Sequence, residues 1–393
     1  MNKNKRELLI ILFWILVAAN IFWFGYRIIN RVVNGAEVLE SAGIIDNTEL
    51  NRSNFYYEQI SEEYKKAYEL LHAGLLERSS SIKIEGLEDD AIASIWRAVL
   101  LDNPEIFWTN DFRYSVIRGD VTVCEIIPNY CYTTEEIELR QKKIEGFVSE
   151  FVAGISKAES DYDKILYTYE NIINHTGYDL NALNNQHIDS VIVGKKSVCG
   201  GYAKTTKFLL DRLGVECIYV SGIAENDEGV GNHAWNIVKC ENDYYYVDST
   251  WGDPVYLEAV AGFDSEEKAI SYDYLCCNEE QLFVTHQLND DYEYPSCTSL
   301  EWNYYVVNGC YFTEYDASRI SELIKKDIEE NKKSSIFKFA DKSTYEIAKG
   351  QLLDVHLKEG KTLYDIANDT ESTSSYYMDD SKHNKVVLYW DMP

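Results

Sequence analysis

Hydrophobic and polar positions in the middle of the chain predict a helix followed by two strands. Apolar side chains recur at helical spacing over residues 203–213, and Gly214 stands where a helix commonly ends. Residues 233–248 then have the pattern of two strands joined by Glu241 and Asn242. A two-residue turn suits an antiparallel hairpin, and Asn tolerates the left-handed backbone that such a turn requires. The pattern therefore predicts a helix packed beside a hairpin.

An α+β unit is predicted on each side of this centre. The first has two helices, a strand between them and two closing strands, at residues 55–77, 89–101, 81–84, 106–116 and 121–127. The second has the same order at residues 317–331, 343–353, 335–339, 375–378 and 385–390. The segments SSSIKI and SSIFKF occupy equivalent places, so the units are either a diverged repeat or a coincidence of pattern.

An apolar run near the start of the chain predicts a membrane anchor. Leu8 to Tyr26 is long enough to cross a bilayer as a helix. The excess of positive charge before the run favours a cytoplasmic N-terminus and an exported remainder. A cleaved signal peptide is the alternative, but the run continues beyond Val17-Ala18-Ala19, which favours an uncleaved anchor. We expect a single-pass protein of the cell membrane with its C-terminal bulk extracytoplasmic.

The predicted helix starts and the predicted membrane anchor indicate where the chain divides into domains. Thr133 with Glu136, and Ser160 with Asp163, have the spacing of capping boxes that open two helices of the central region. The predicted parts are a cytoplasmic tip with the anchor (1–34), an N-terminal α+β module (35–132), a central domain (133–300) and a C-terminal α+β module (301–393).

The charge and cysteine content of the chain limit the kinds of partner and cross-link that can be expected. The chain has 37 basic and 66 acidic side chains, a net charge of −29, which repels nucleic acid. Nine cysteines are present, and an exported chain permits disulfides. The sequence does not fix their pairing. Two pairs are considered, namely Cys124 with Cys131, and Cys276 or Cys277 with Cys297.

Cys199 has the sequence context of a reactive cysteine. It stands at or just before the N-terminus of the predicted helix, where partial positive charge favours a thiolate. Gly200 and Gly201 follow it and have no side chains to block a substrate.

The predicted hairpin brings a histidine close to an aspartate. If Cys240 pairs with Asp243, Trp235 faces Asp248, and His233 is a diagonal neighbour of Asp248 on the same face. An aspartate in that place can orient an imidazole while its other nitrogen takes a thiol proton. A three-residue turn would separate the two residues.

Two other interpretations apply to these residues. Trp235 and Trp251 are either walls of an active-site cleft or ordinary core aromatics. Cys199, His233 and Asp248 also suit zinc by ligand type, but no second cysteine or histidine has metal spacing nearby. No EF-hand loop appears, and we expect no metal and no cofactor.

Three motifs in this region resemble the transglutaminase-like superfamily of papain-fold cysteine enzymes, in its bacterial membrane-anchored form. They are VCGGYAK, NHAWN and YYYVDSTWGDP, in the order Cys, His, Asp, preceded by the pair Tyr178-Asp179. The resemblance implies an α+β core in which a helix bearing the Cys packs on an antiparallel sheet bearing the His and Asp. It makes residues 133–300 the catalytic domain, with Cys199 as nucleophile, His233 as general base and acid, and Asp248 as the orienting group.

The function implied is cysteine-dependent acyl transfer on an amide or peptide bond through a thioester. Hydrolysis and transamidation stay open, because the acceptor site is not visible in the sequence. The substrate expected is a protein or peptide, including cell-wall peptides. The oxyanion is expected to use the Cys199 backbone N–H and a side-chain donor. Gln186 and His187 lie upstream, but their spacing does not single them out.

Two alternatives to an enzyme stay open. One is a catalytically silent surface module that binds cell-wall or protein ligands, and the other is an adaptor with a scaffolding core.

Overall fold

The central sheet and the two flanking units are all present in the structure. The computed structural model describes residues 54–120, 122–155, 160–226, 229–253, 270–289, 291–352 and 374–391. The predicted anchor at residues 8–26 lies outside these ranges. Within them, no helix combines the length and apolar character needed to span a bilayer.

The N-terminal unit is a three-stranded antiparallel sheet with helices. Its elements are α1 (Phe55–Gln59), α2 (Glu62–Leu76), β1 (Ile82–Glu85), α3 (Asp89–Asp102), β2 (Thr109–Ile117) and β3 (Val123–Tyr130), and the strand order is β1-β3-β2. The single helix predicted over 55–77 is wrong in one respect. Ile60 is extended (φ −74°, ψ 139°), which ends α1, and Ser61 occupies the N-cap position of α2.

The central region begins with helices and continues into a sheet. Its helices are α4 (Thr134–Gly154), α5 (Asp161–His175), α6 (Ile188–Ile192), α7 (Cys199–Arg212), α8 (Glu279–Leu282) and α9 (Tyr304–Val307). Its strands are β4 (Gly177–Tyr178), β5 (Lys196–Ser197), β6 (Cys217–Asn226), β7 (Gly229–Cys240), β8 (Asp243–Val247), β9 (Leu275–Cys277) and β10 (His286–Leu288). Both predicted capping boxes are confirmed, at Thr133 for α4 and at Ser160 for α5.

Five of these strands form the antiparallel sheet that supports the site. Their order is β10-β6-β7-β8-β9. One face packs on α5 and α7 through buried side chains that include Tyr169, Leu210 and Val238. The other face buries a second cluster around Trp235 and Tyr246. The sheet is therefore covered on both sides, which fixes its register.

The C-terminal unit has the topology of the N-terminal one. Its elements are β11 (Tyr311–Phe312), α10 (Ala317–Glu329), β12 (Ser334–Phe339), α11 (Lys342–Leu352), β13 (Ser374–Asp380) and β14 (Lys385–Asp391). The antiparallel order β12-β14-β13 matches β1-β3-β2, and β11 adds in parallel to β12. Both units follow the order helix, strand, helix, hairpin. Their origin from one repeat stays a prediction.

The central hairpin has the predicted register but a different turn. Cys240 pairs with Asp243, as the two-residue turn requires. The left-handed residue is Glu241 (φ 53°), so its assignment to Asn242 was wrong. His233 lies inside β7 instead of opening it, because β7 already begins at Gly229.

The considered disulfide pairs are not formed. All nine cysteines lie in the described part of the chain, and each is free. Cys124 is fully buried in β3, whereas Cys131 turns its Sγ towards the carbonyl of Phe107 at 3.8 Å. Cys297 likewise contacts the carbonyl of Pro295 at 3.7 Å. The thiols of Cys131 and Cys297 therefore contact nearby backbone carbonyl groups.

Candidate active site

Cys199 is the first residue of α7. Val198 is its extended N-cap residue, and the carbonyl of Val198 accepts from the N–H groups of Gly201 (2.9 Å) and Tyr202 (3.1 Å). The thiol is half-buried at the positive end of the helix.

His233 bridges this thiol and Asp248. Its Nε2 lies 2.7 Å from Oδ2 of Asp248, and its side chain also hydrogen-bonds with Cys199. Since an ionised carboxylate only accepts, Nε2 carries the proton and Nδ1 is the nitrogen left for the thiol. The structure thus brings together the three residues that the motifs predicted.

The groups around His233 favour its protonated form. Burial is the largest influence on its pKa and lowers it, but the Asp248 carboxylate and the contact with Cys199 outweigh burial and raise the pKa to about 10. Burial also opposes ionisation of Asp248, and here His233 and His286 hold the pKa of the carboxyl below its usual range. An imidazolium and a carboxylate therefore face each other at neutral pH.

The chain after β8 fixes the Asp248 carboxylate. Its Oδ1 accepts from the backbone N–H groups of Thr250 (2.8 Å) and Trp251 (3.1 Å). Its own N–H donates to the carbonyl of Tyr274 at 2.9 Å. The carboxylate consequently presents Oδ2 to His233 and Oδ1 to the turn.

A second histidine, which the sequence reasoning missed, shares this carboxylate. His286 Nε2 lies 3.1 Å from the same Oδ2 of Asp248, and the His286 ring is buried. It reaches the site because β10 pairs with β6 and places His286 opposite Ala224. No local motif marks this histidine, and only the strand pairing brings it to the site.

Polar contacts join the motifs to each other. Asn236 Nδ2 donates to the carbonyl of Ala203 at 2.9 Å, which ties β7 to α7. Tyr202 Oη donates to Asp253 at 2.8 Å and links α7 to the turn after β8. These residues of NHAWN, GYAK and WGDP thus hold α7 against the sheet.

The predicted role of the two glycines was wrong. Gly200 and Gly201 are buried and face the loop before α6 instead of a substrate. A Cβ on Gly200 would overlap the carboxamide of Gln186, and a Cβ on Gly201 would lie 2.8 Å from the carbonyl oxygen of Asn185. Glycine is needed here because the loop packs against the first turn of the helix.

Trp235 and Trp251 differ in their exposure to solvent. Trp235 is completely buried and stacks under His233, with ring centroids 5.9 Å apart, so it is a core residue and not a wall of the cleft. Trp251 is half-buried and lies against His233 (5.7 Å) and His286 (4.7 Å). Of the two, Trp251 keeps the exposure that contact with a substrate requires.

One group at this site has ligand types that bind metals. A ligand atom from each of His233, Asp248 and His286 lies within 4.8 Å of the others. Zinc binds such atoms at about 2.0–2.2 Å. The same atoms make the two hydrogen bonds to Oδ2, so metal binding and the hydrogen-bonded arrangement exclude each other.

Comparisons with known proteins agree on the class. Residues 149–249 match the family model described as Transglutaminase-like superfamily. Kyphoscoliosis peptidase of Mus musculus is 27% identical over 126 residues, 28% of this chain and 19% of that protein. Kyphoscoliosis peptidase of Homo sapiens is 27% identical over 111 residues, 25% of this chain and 17% of that protein. The chain thus spans under a fifth of the length of these curated relatives.

A solved structure described as a TGase is 18% identical, covers 43% of this chain and 51% of that chain, and has a TM-score of 0.26. The family match and the mixed helices and sheets together support a transglutaminase-like domain at residues 149–249 of this chain.

Proposed function

We propose that the protein is a cysteine-dependent acyl-transfer enzyme that acts on amide or peptide bonds. Cys199 is the nucleophile, His233 the general acid and base, and Asp248 the orienting carboxylate. The observation that carries the proposal is the continuous contact from the thiol of Cys199 through His233 to Asp248, with 2.7 Å between Nε2 and Oδ2. The curated relatives are named peptidases, which supports a protein or peptide substrate.

The reaction divides into two steps. The Cys199 thiolate attacks the carbonyl carbon, a C–S bond forms, the C–N bond breaks, and His233 gives its proton to the leaving amine. His233, now neutral, then takes a proton from water, which attacks the thioester carbonyl, breaks the C–S bond and releases the acid, and this restores the Cys199 thiolate and the protonated His233. An amine in place of water would complete a transamidation instead.

Gln186 is our choice for the side-chain donor to the oxyanion. Its carboxamide lies against Gly200, directly after the nucleophile, and Gln186 is exposed. An amide N–H in that place, with the backbone N–H of Cys199, would meet the charge that develops on the carbonyl oxygen. His187 is buried and its Nε2 contacts Asn110, so it does not fill this role.

The test is the pH dependence of iodoacetamide alkylation of Cys199 in the full-length chain, resolved by peptide mapping. Because Cys199 opens a helix and contacts His233, we expect its alkylation at neutral pH to be faster than that of an ordinary thiol. In His233→Ala we expect the rate to rise around the ordinary thiol pKa of about 8.5. Cys131 is an internal control, since burial raises the pKa of its thiol to about 11.

An ordinary thiol profile at Cys199 in the unsubstituted protein would overturn the proposal. If the profile is as expected, peptide and amine substrates are screened, with Cys199→Ala as the inactive control. Retention of ligand capture in Cys199→Ala, together with no turnover in the parent, would favour the silent binding module.

We also propose that residues 8–26 anchor the protein and that the remainder is extracytoplasmic. This rests on the apolar run and its flanking charges. Resistance to alkaline carbonate extraction, with digestion of residues 54–391 by protease added to intact cells, is expected. Protection of that segment in intact cells would contradict the orientation.

A further inference from the structure

A chain of hydrogen bonds leads from Asp248 into the C-terminal unit. His286 Nε2 contacts Oδ2 of Asp248 at 3.1 Å, and its Nδ1 lies 2.7 Å from Thr285 Oγ1. Thr285 Oγ1 lies 3.1 Å from Tyr274 Oη, which lies 2.9 Å from Nε2 of His383. Thr285, His286 and Tyr274 are all buried. His383 belongs to the turn between β13 and β14, far from the catalytic motifs in sequence.

The donors in this chain follow from Asp248. An ionised carboxylate only accepts, so Nε2 of His286 carries a proton. Burial lowers the pKa of His286, and the ring is neutral; its Nδ1 therefore accepts from the hydroxyl of Thr285. The hydroxyl of Tyr274 then joins Thr285 Oγ1 to Nε2 of His383, since a phenol hydroxyl can both donate and accept.

Asp380 fixes the ring of His383 at the far end. Its carboxylate lies 2.9 Å from Nδ1 of His383, so Nδ1 carries a proton and donates to Asp380. Nε2 of the same ring is then left for the hydroxyl of Tyr274. The ring of His383 therefore joins Asp380 to Tyr274.

A buried ionic group fixes the hairpin to the central domain. Asp273, directly before Tyr274, accepts from Lys338 at 3.1 Å and from Tyr305 at 3.0 Å, and it also contacts Lys385. Lys385 lies 3.5 Å from Asp380. Buried ion pairs of this kind fix one arrangement more than they add stability. The hairpin that carries His383 is thus held in a defined position beside the site.

We propose that His286 and His383 are positioning residues for the catalytic group: through Tyr274 and Thr285, the C-terminal unit holds Asp248 in the orientation that His233 needs. The inference rests on the proposed function. It gives the C-terminal unit a part in the reaction through residues that lie behind Asp248. In metal and catalytic sites, residues that do not touch the substrate often hold a ligand or a reacting group in position through hydrogen bonds.

Tyr274→Phe is the central test, because it removes one hydroxyl and keeps the ring against Trp251 and His286. Tyr305→Phe is the matched control: it is buried at the same interface and binds Asp273, but it lies outside the chain. The full-length variants are compared by the alkylation profile of Cys199, by kcat/KM once a substrate is found, and by Tm.

The loss of one hydrogen bond from the chain is expected to lower kcat/KM about 3- to 10-fold in Tyr274→Phe. It is also expected to lower the apparent pKa of the His233 limb of the profile by about half a unit, because Asp248 turns away from His233. Tyr305→Phe is expected to keep the parent profile.

Two substitutions of His383 separate positioning from packing. His383→Gln places an amide nitrogen near the position of Nε2 and is expected to keep most of the parent profile. His383→Asn places its nitrogen near Nδ1, keeps the contact with Asp380 and is expected to behave like Tyr274→Phe. If either protein fails to fold, Thr285→Val cuts the same chain.

The outcomes distinguish the two proposals. An activated Cys199 in the parent with unchanged profiles in Tyr274→Phe and His383→Asn overturns this inference and leaves the proposed function standing. Equal shifts in Tyr274→Phe and Tyr305→Phe also overturn it, since the effect is then general to the interface. An unactivated Cys199 in the parent overturns both.

Discussion

Asn236 Nδ2 donates to the backbone carbonyl of Ala203 over 2.9 Å, and this contact joins the strand that carries His233 to the helix that begins at Cys199. Both residues are buried. The carbonyl lies one helical turn after Cys199, and Asn236 lies three residues after His233. The hydrogen bond therefore helps to set the distance between Cys199 and His233.

Asn236→Ala is expected to destabilise the protein by about 1–3 kcal/mol and to lower kcat/KM about tenfold. The substitution removes a buried hydrogen bond and loosens α7 on β7. Urea unfolding and turnover measure the two effects. Asn308→Ala is the control, since Asn308 donates to the carbonyl of Tyr304 at 2.8 Å but is exposed. A similar loss of stability in both variants would contradict the special role of Asn236.

Gln186→Ala is expected to lower kcat by about 10²- to 10³-fold with little change in KM, because an oxyanion donor acts mainly in the transition state. Alkylation of Cys199 needs no oxyanion donor and should keep the parent profile. Asn181→Ala, an exposed amide in the same loop, is the control. A rise in KM with unchanged kcat would assign Gln186 to substrate binding instead.

Local patterns were enough to predict the helix start at Cys199 and the closeness of His233 to Asp248, and the resemblance of the motifs to the superfamily linked Cys199 to His233. The two-residue turn fixes the pairing of Cys240 with Asp243, and from that pairing His233 and Asp248 must fall on one face. The helix start likewise predicts the place of Cys199. Each of these inferences spans few residues and depends on backbone geometry alone.

Long-range pairing was beyond the same reasoning. His286 reaches Asp248 only because β10 adds to the free edge of β6, and His383 reaches Tyr274 only because a hairpin of another unit packs there. Neither histidine has a motif around it. Gly200 was misassigned for a similar reason, since the loop that covers it is not apparent from the residues next to it.

Because Lys204 is buried, the free energy of unfolding is expected to depend on pH. Burial, opposed in part by Asp189, lowers the pKa of this lysine from 10.5 to about 8. The unfolded chain therefore binds more protons between about pH 8 and 10.5, and the contribution of Lys204 to the free energy of unfolding rises with pH over that range. Below about pH 8 the buried ammonium is destabilising in full.

Lys204→Met is accordingly expected to stabilise the protein at pH 7 by about 1–3 kcal/mol, with the gain fading towards pH 10.5. Urea unfolding at pH 7 and 9.5 measures it. Lys207→Met is the matched control on the same helix: Lys207 is buried but binds Asp211 at 3.0 Å, so its removal is expected to destabilise. A loss of stability in both variants would contradict the sign worked out for Lys204.

The shared atoms of His233, Asp248 and His286 lead to a prediction about metals. Nε2 of each histidine is engaged with Oδ2, at 2.7 and 3.1 Å, and a metal would have to displace both protons. We therefore expect that dialysis against EDTA leaves turnover unchanged and that added Zn²⁺ inhibits by competing for the same nitrogens. His286→Gln removes one ligand, so inhibition by Zn²⁺ should weaken at least about tenfold in that variant. Turnover that disappears with EDTA and returns with Zn²⁺ would instead make the three residues a catalytic metal site and leave the thiolate mechanism without support.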